Sequence, residues 1–259
     1  MRLRKQKKVV AVTLATAIAV STISASASAV SYDLAKGDVT IDQDADRGAF
    51  SYQGEDKKEN RTYVNEDKKD DGKIIIKQDD KDTPTENTVT VQEDVKKTDN
   101  ADGSESRDVD IVIDGVNADT SKTGESTVTV GEGANVDLTV KNSILTTGGN
   151  GIDIGKDLDG TDENKDTKVD LTLEGTTINQ TNKQNSAGLD VRQGSDVNLT
   201  LKGDNVIDGS AAIDSATKEG KKLTDSNINV EGIRVGGEVA SDFSGAEKDA
   251  HLTIKGDKE

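Results

Sequence analysis

The chain has 259 residues, of which 32% are charged, 31% hydrophobic and 2% aromatic, and its formal net charge at pH 7 is −17. A polyanion of this kind repels nucleic acids and anionic membranes, so neither is expected as a partner. The absence of cysteine excludes disulfides, thiol catalysis and a lipid-modified N-terminal cysteine. These shares of hydrophobic and aromatic residues are low for a globular core, but they suffice for a fold with a narrow interior.

Residues 1–29 have the pattern of a secretory signal peptide. A basic start is followed by an apolar run from Val9 to Val20 and by small residues that end at Ala29. The apolar run is shorter than the roughly 20 residues that span a bilayer, which argues against a membrane anchor. We expect cleavage after Ala29, which removes five basic residues and changes the formal net charge from −17 to −22.

Residues 30–108 are predicted to form the first strands or a cap of the fold. The segment from Asp33 to Ile41 is predicted as an opening strand pair. Two further strands, at residues 74–76 and 89–91, are separated by a turn that contains Pro84, the one proline of the chain.

A mixed-charge, low-complexity run interrupts this first part at residues 53–72. It contains almost nothing to bury, so the sequence predicts a solvated loop or insertion. A docking site for a basic partner is the functional alternative, although charge runs of this kind are usually only solvated.

A seven-residue pattern recurs from Val109 onward and marks residues 109–259 as the regular part of the fold. Apolar residues alternate with polar ones in these copies, with Val112 of the first copy as the exception, which is typical of a strand with one buried face. Each copy ends in glycine or asparagine, which adopt positive φ at low cost in a tight turn. The copies are Val109–Gly115, Val136–Asn142, Val169–Gly175, Val197–Gly203 and Ala250–Gly256.

Successive copies begin 27, 33, 28 and 53 residues apart, and self-similarity in this range marks a solenoid. A second strand pattern recurs between the copies, at residues 151–155, 188–191, 212–214 and 232–236. No apolar pattern of helix length lies between these strands. The sequence therefore predicts an all-β fold, a parallel β-helix that winds once per repeat and stacks its strands about 4.8 Å apart.

Stacking the copies in register predicts columns of outward side chains. The last column alternates in charge, which favours pairing between neighbouring strands. It consists of Asp114, Lys141, Glu174 and Lys202. The middle column is rich in threonine and contains Val112, Thr139, Thr172, Thr200 and Thr253. The first column contains Asp110, Asp137, Asp170 and Asn198, and its stacked carboxylates should splay into water or hold a cation.

Several strings resemble the rungs of secreted right-handed parallel β-helix proteins of Gram-positive bacteria, of the carbohydrate-binding-domain-containing or adhesin-like kind. These strings are VDIVIDGVNADTS, NLTLKGDNVIDGSAAI, GIRVGG and HLTIKGD. The resemblance runs from about Tyr32 to the end of the chain, apart from the mixed-charge run at residues 53–72. It implies a right-handed coil, a secreted or cell-surface location and contact with glycans, and it supplies no catalytic residue.

Polysaccharide lyases also use parallel β-helices, with acidic residues that hold Ca²⁺ and a basic residue that accepts a proton. The nearest candidates are Asp153, Asp190 and Arg192, which are predicted to point outward. Asp190 and Arg192 fit a surface ion pair of small energetic value better. The single histidine, His251, is predicted on an outward position, which argues against Ser-His-Asp or histidine-metal catalysis.

Two segments partly match calcium-binding motifs. Gly148–Asp153 resembles the nonapeptide of β-rolls, but that motif works in tandem and occurs here once, so a glycine turn before a strand is predicted. Asp157–Glu163 resembles a calcium loop, but its glycine is the fourth residue, whereas an EF-hand needs glycine as the sixth. No cofactor is expected, and weak Ca²⁺ binding at this loop or along the Asp110, Asp137, Asp170 column is a hypothesis.

The sequence thus favours a secreted or cell-surface, non-enzymatic β-solenoid that contacts a glycan or a host surface protein or acts as a spacer. No catalytic or metal-binding residue is assigned. The alternative is a polysaccharide lyase or hydrolase of the parallel β-helix class. The last repeat ends at Gly256 without a cap, so we expect a chain truncated at its C-terminus or an end-to-end contact through the final rung.

Overall fold

The computed structural model describes residues 30–41, 49–53, 60–64, 73–93, 95, 109–160, 165–182, 186–213, 230–236 and 249–256. The fold of these residues is mostly β, with three parallel sheets and one antiparallel hairpin. Among them, no helix has the length and apolar character needed to cross a membrane. The expected signal peptide at residues 1–29 lies outside the described residues.

Each parallel sheet grows in one direction along the chain. Sheet A has seven strands in the order β1 (Val30–Asp33), β5 (Ile74–Lys77), β7 (Asp110–Asp114), β10 (Asn135–Lys141), β13 (Thr167–Glu174), β16 (Ser195–Lys202) and β19 (His251–Gly256). Sheet B has six, β2 (Val39–Ile41), β6 (Val89–Val91), β9 (Val128–Gly131), β12 (Ile152–Lys156), β15 (Ser186–Val191) and β18 (Val230–Val235). Sheet C has four, β8 (Asn117–Asp119), β11 (Ile144–Thr147), β14 (Thr177–Gln180) and β17 (Val206–Asp208).

The chain visits the three sheets in a repeating order. From β7 to β18 it passes through sheets A, C and B four times, and each circuit adds one strand to each sheet. Three of the four second-strand predictions are confirmed, because β12, β15 and β18 neighbour one another in sheet B. The strand predicted at residues 212–214 is not formed at residues 212 and 213, which are the part of it that the structure describes. Ser210–Ile213 forms a helical turn instead, closed by a 3.2 Å hydrogen bond from Ile213 N to Gly209 O.

Aliphatic side chains fill the space between the sheets. Leu138, Leu171 and Leu199 follow one another in register in sheet A, and each is at most 1% exposed. Burying one such side chain stabilises the fold by about 1.5–3 kcal/mol. Sheets B and C contribute matching inward columns, such as Ile152 and Leu189 in sheet B, to the same buried cluster. Most of the interior is thus built from Val, Ile and Leu, as the narrow-core prediction required.

The predicted alternation of charge in sheet A is confirmed and is longer than expected. The column begins two strands earlier and contains Asp33, Lys77, Asp114, Lys141, Glu174 and Lys202 in register. Lys141 Nζ lies 3.2 Å from Asp114 Oδ2, and Asn142 Nδ2 donates to Asp114 Oδ1 at 3.2 Å. Partial burial raises the pKa of Asp114, but these two neighbours outweigh it, so the net pKa lies below its ordinary value.

The register predicted for the last repeat is wrong by two residues. The prediction placed Ala250 beside Val197, whereas Leu252 is the partner of Val197 in the structure. A shift of two residues keeps every side chain on its own face, so alternation alone cannot detect it. The larger Leu252 now neighbours Val197, where the predicted register has Ala250. Thr253 accordingly pairs with Asn198 and not with the threonine column.

The predicted turn residues are confirmed in four of the five copies. Gly115, Asn142, Gly175 and Gly203 have φ values of 66°, 50°, 56° and 61°. These left-handed conformations let the chain leave sheet A sharply toward sheet C. The fifth prediction is wrong, since Gly256 continues strand β19 beside Leu201.

The first part of the chain differs from its prediction in two places. The opening strands β1 and β2 exist, but a 3-10 helix at Leu34–Lys36 separates them and they belong to different sheets. Within the run predicted as a solvated loop, Asn60–Val64 forms a strand that pairs antiparallel with Ala49–Gln53. Thr62, Tyr63 and Val64 have high strand propensity, a signal that the surrounding charges concealed. Residues 54–59 and 65–72 lie outside the described residues.

Apolar side chains are exposed in the last strand of each sheet. They are Val206 in sheet C, Ile233 and Val235 in sheet B, and Ile254 in sheet A, and their exposed fractions lie between 39% and 51%. In register, Ile233, Val235 and Ile254 continue the buried columns of the preceding strands. These three side chains lie at the end of the described stack, where an end-to-end contact is expected, whereas Val206 follows Thr177 on the outward face of sheet C.

Reversing one charge in the alternating column tests its register. Lys141→Glu places a third carboxylate between Asp114 and Glu174, and we expect a loss of about 1–2 kcal/mol because each like-charged neighbour costs up to ~1 kcal/mol. Lys202→Glu faces one described carboxylate, Glu174, and should lose about half as much. Urea unfolding in low and high salt measures both losses, and high salt should shrink them. Equal stability of Lys141→Glu and the neutral Lys141→Gln would contradict the column.

Substitution of glycines near the start of three strands of sheet B tests how closely these strands pack against their neighbours. Gly151, Gly188 and Gly232 precede paired strand residues. A Cβ at Gly188 would collide with Ile207 Cγ2 and lie 2.7 Å from Gly232 O, whereas no described atom lies within 4 Å of a Cβ at Gly232. We expect Gly188→Ala to cost about 1–3 kcal/mol through overpacking and Gly232→Ala to cost little. Thermal unfolding measures both, and equal losses would contradict this packing.

Candidate functional site

Two clusters of charged side chains are associated with sheet B. The carboxylate–guanidinium cluster consists of Asp153, Asp190, Arg192 and Arg234. The acidic cluster consists of Glu93, Glu132, Asp157 and Asp159. Both contain residues that the sequence singled out, so each is a candidate for binding or chemistry.

Parallel pairing builds the carboxylate–guanidinium cluster. Asp153 in β12 lies in register with Asp190 in β15, and Asp190 lies in register with Arg234 in β18. The two aspartates are 1% exposed and Arg234 is 9% exposed. The strand ladder therefore stacks two carboxylates and a guanidinium at successive positions of one buried column.

Each carboxylate of this cluster accepts a two-point contact from one guanidinium. Arg192 donates from Nε to Asp153 Oδ1 at 2.6 Å and from Nη2 to Asp153 Oδ2 at 2.9 Å. Arg234 donates from Nε to Asp190 Oδ1 at 2.9 Å and from Nη2 to Asp190 Oδ2 at 2.5 Å. Paired donors of this geometry are the strong form of a charge-assisted hydrogen bond.

Neighbouring polar groups complete the cluster. Asn150 Nδ2 donates to Asp190 Oδ2 at 3.0 Å, and Asn150 Oδ1 accepts from the backbone of Ala187 at 2.9 Å. Ser126 Oγ donates to Asp153 Oδ2 at 3.4 Å. A buried ion pair is tolerated when its remaining hydrogen-bonding capacity is met in this way. These side-chain contacts therefore link successive strands of sheet B.

The predicted ion pair between Asp190 and Arg192 is present, but Asp190 does not lie at the surface and the pair is not the main contact of either residue. Asp190 is buried, and its two-point partner is Arg234, while Arg192 Nε is 3.9 Å from Asp190 and reaches back to Asp153. Sequence distance missed the closer partner of each residue because parallel stacking brings together residues about 40 positions apart. Stacking the second-strand segments as Ile-Asp-Ile, Leu-Asp-Val and Ile-Arg-Val would have revealed the column.

The acidic cluster forms where the chain leaves three neighbouring strands of sheet B. Glu93 follows β6, Glu132 follows β9 and Asp157 follows β12, each within two residues of the strand end. Oxygens of Glu93, Asp157 and Asp159 all lie within 4.8 Å of one another. Glycine at position 131 lets the Glu93 side chain approach, since a Cβ there would lie 3.0 Å from Glu93 Cγ.

Backbone donors and one ammonium partly compensate these carboxylates. Glu93 Oε1 accepts from the backbone of Leu158 at 2.5 Å and of Asp159 at 3.0 Å. Lys165 Nζ lies 3.2 Å from Glu93 Oε2 and 3.6 Å from Asp159 Oδ2. Asp157 Oδ1 accepts from the backbone of Gly160 at 2.6 Å.

Glu132 is the least compensated member of the acidic cluster. It is 7% exposed, and its buried Oε1 has no hydrogen-bond partner among the described residues. Burial raises the pKa of Glu132 above its ordinary value, and the charges of Asp157 and Glu93 raise it further. The carboxyl thus lies in an environment that disfavours its own charge.

The structure tests both places proposed for a cation. It brings Asp157 and Asp159 of the predicted loop together with Glu93. Glu132 lies beside Asp157, since Glu132 N donates to Lys156 O at 3.0 Å. The sequence did not indicate Glu93 and Glu132 because both lie 25 or more residues before Asp157. The Asp110, Asp137, Asp170 column is stacked in register as predicted. Its carboxylates are not among the described groups whose oxygens converge on one point. Lys73 Nζ lies 3.2 Å from Asp110, and Asn198 donates to Asp170 at 2.9 Å.

The remaining sequence candidates take ordinary positions. His251 is exposed at the start of β19, in register with Asp196. Gly148–Gly151 connects β11 to β12, which confirms the prediction of a glycine turn before a strand.

A shallow depression crosses the outward face of sheet A at the start of three neighbouring strands. Its lining is mostly polar and consists of Asn135, Lys168, Val169, Asp170, Asp196 and Asn198, which we call the polar patch. Asn135, Lys168 and Asp196 lie in register on successive strands. The polar patch therefore offers amide, ammonium and carboxylate groups at the spacing of the strands.

Comparisons of the chain with protein-family models, with curated proteins and with solved structures found no match. The resemblance to secreted β-helix proteins thus stays a resemblance of motifs.

The Asp190–Arg234 pair should be costly to break. Arg234→Ala leaves a buried carboxylate without its main partner, and we expect a loss of about 3–5 kcal/mol in the free energy of unfolding. The double variant with Asp190→Ala should lose less than the sum of the two single variants. Lys122→Ala, which breaks an exposed pair with Glu86, is the control and should cost at most about 1 kcal/mol. Additive losses in chemical denaturation would contradict the coupling.

Proposed function

We propose that the chain is a secreted or cell-surface, non-enzymatic β-solenoid that presents a repetitive outward face to an extracellular glycan. The observation that carries the proposal is the in-register stacking of sheet A, which repeats the outward positions strand by strand over seven strands. Neighbouring strands lie about 4.8 Å apart, so similar polar groups recur at a fixed step along the stack.

The architecture that we propose is a right-handed parallel β-helix. The cyclic passage of the chain through sheets A, C and B supports it, because each circuit returns to sheet A one strand further along. Crossover connections between parallel strands of one sheet are right-handed in about 98% of cases. In a coil of this kind each rung contacts its two neighbours, which gives an extended module with a regular surface.

The polar patch is the glycan-binding surface in this proposal. Sugar hydroxyl groups both donate and accept hydrogen bonds, and the amide, ammonium and carboxylate groups of Asn135, Lys168 and Asp196 can serve both roles. Single contacts of this kind are weak. A repetitive ligand that meets several of them at once binds with useful strength because the later contacts form within one complex.

The burial and pairing of the candidate catalytic residues favour a non-enzymatic role over the lyase alternative. Asp153 and Asp190 are 1% exposed, and their oxygens accept hydrogen bonds from two guanidinium groups. A base or metal ligand that acts on a polysaccharide must reach the substrate, which these buried carboxylates do not. The extracellular location rests on the leader pattern of residues 1–29.

A glycan array probed with the purified protein tests the proposal. We expect weak binding to an extended glycan that falls severalfold in Lys168→Ala and in Asp196→Ala, because each removes a hydrogen-bonding group from the polar patch. Lys122→Ala, an exposed substitution outside the polar patch, should bind as the unaltered protein does.

Incubation with the glycans that bind, followed by assays for new reducing ends and for unsaturated uronides, tests the absence of catalysis. Release of either product would overturn the non-enzymatic role and favour a lyase or hydrolase. Binding that Lys168→Ala and Lys122→Ala reduce equally would reject the polar patch, and binding to no glycan would favour a spacer.

A further inference from the structure

The acidic cluster brings four carboxylates close to one ammonium within the part of the chain that the structure describes. Four carboxylates, those of Glu93, Glu132, Asp157 and Asp159, act on one another at the end of sheet B. Lys165 is the cation that the described residues place among them, through its contacts with Glu93 and Asp159. A group with four negative charges and one positive charge attracts a divalent cation.

Glu132 supplies a second observation, independent of the number of acidic residues. Its side chain is more than nine-tenths buried, and the charged groups that act on it are Asp157, Glu93, Lys165 and Asp159. Its Oε1 has no donor among the described residues. Glu132 N donates to Lys156 O at 3.0 Å, so Glu132 lies beside Asp157. Buried polar oxygens in folded proteins nearly always have a partner, so an orphaned carboxylate oxygen at this place indicates a missing ligand.

We propose that the acidic cluster is a calcium site, in which the converging oxygens of Glu93, Asp157 and Asp159 are joined as ligands by the unpartnered carboxylate of Glu132. Ca²⁺ takes six to eight oxygen ligands in flexible geometry and accepts several carboxylates, whereas Mg²⁺ keeps most of its waters and uses one or two. Four carboxylates carried by three connections after neighbouring strands therefore fit calcium better. The site is separate from the polar patch, and its test does not depend on any glycan.

In this proposal the ammonium of Lys165 competes with the ion for oxygens of Glu93 and Asp159. Its ammonium lies within 3.6 Å of oxygens of Glu93 and Asp159, where a divalent cation would draw the same oxygens inward. Calcium must displace this ammonium or share its partners. Binding should therefore be of the weak extracellular kind, with a dissociation constant of about 10⁻⁴–10⁻³ M.

Calorimetric titration of the EDTA-treated protein with CaCl₂ tests the site. Glu132→Gln removes one ligand charge at nearly constant size, and we expect it to weaken binding about tenfold or more. Lys165→Gln removes the competing ammonium and should strengthen binding severalfold. Glu174→Gln carries the same chemical change on the exposed face of sheet A and is the matched control, with unaltered binding expected.

Thermal unfolding gives a second readout, because an ion that binds the folded state raises the melting temperature. The rise in CaCl₂ should exceed that in NaCl of equal ionic strength and that in MgCl₂. No heat and no such rise, equal effects of Ca²⁺ and Mg²⁺, or equal weakening by Glu132→Gln and Glu174→Gln would each overturn the proposal. Should Glu132→Gln not fold, as judged by circular dichroism, Asp157→Asn replaces it with the same expectations.

Discussion

Backbone pairing between parallel strands in strict register is the constraint on which this structure depends. From β7 to β18 each circuit of the chain adds one strand to each of three sheets, so most residues in these strands have a neighbour at the same position of an adjacent strand. One register therefore fixes both the inward and the outward columns. A side chain that suits its column is repeated, and one that does not must be compensated by its neighbour above or below.

Inward columns use this constraint in the simplest way. Aliphatic residues such as Leu138, Leu171 and Leu199 repeat at one height and make a narrow core without aromatic side chains. Outward columns carry charge, and there repetition would be unfavourable. The last outward column of sheet A solves this by alternation from Asp33 to Lys202, whereas its first column keeps Asp110, Asp137 and Asp170 stacked. Sheet B solves it with guanidinium groups that cap the stacked carboxylates Asp153 and Asp190.

The acidic cluster departs from these two solutions. Its carboxylates lie on the connections that follow the strands, and Glu132 keeps a buried oxygen without a donor among the described residues. The same parallel arrangement that neutralises charge within the sheets thus concentrates charge where the chain leaves them. This contrast is why the cluster, and not the stacked aspartates of sheet A, carries the inference of a cation.

Alternation and turn chemistry are local signals, and they determined much of the fold from the sequence. The strands at Val136–Asn142, Val169–Gly175 and Val197–Gly203, their turn residues and their charge column follow from a repeat that is visible in one dimension. The last repeat shows the limit of these signals. Two registers two residues apart keep the same inward face, and only contacts with the preceding strand select Leu252 as the neighbour of Val197.

The composition of the two charged clusters could not be predicted from the sequence, for a related physical reason. The partners of Asp190 and of Asp157 are separated from them by one or more turns of the chain, so sequence distance carries no information about their contact. Burial also depends on what covers a side chain, which is why Asp153 and Asp190, placed outward by alternation, are nearly inaccessible. The sequence by itself determined the period, the faces and the turns. The tertiary structure decided which charges meet, because stacking converts distant positions into neighbours.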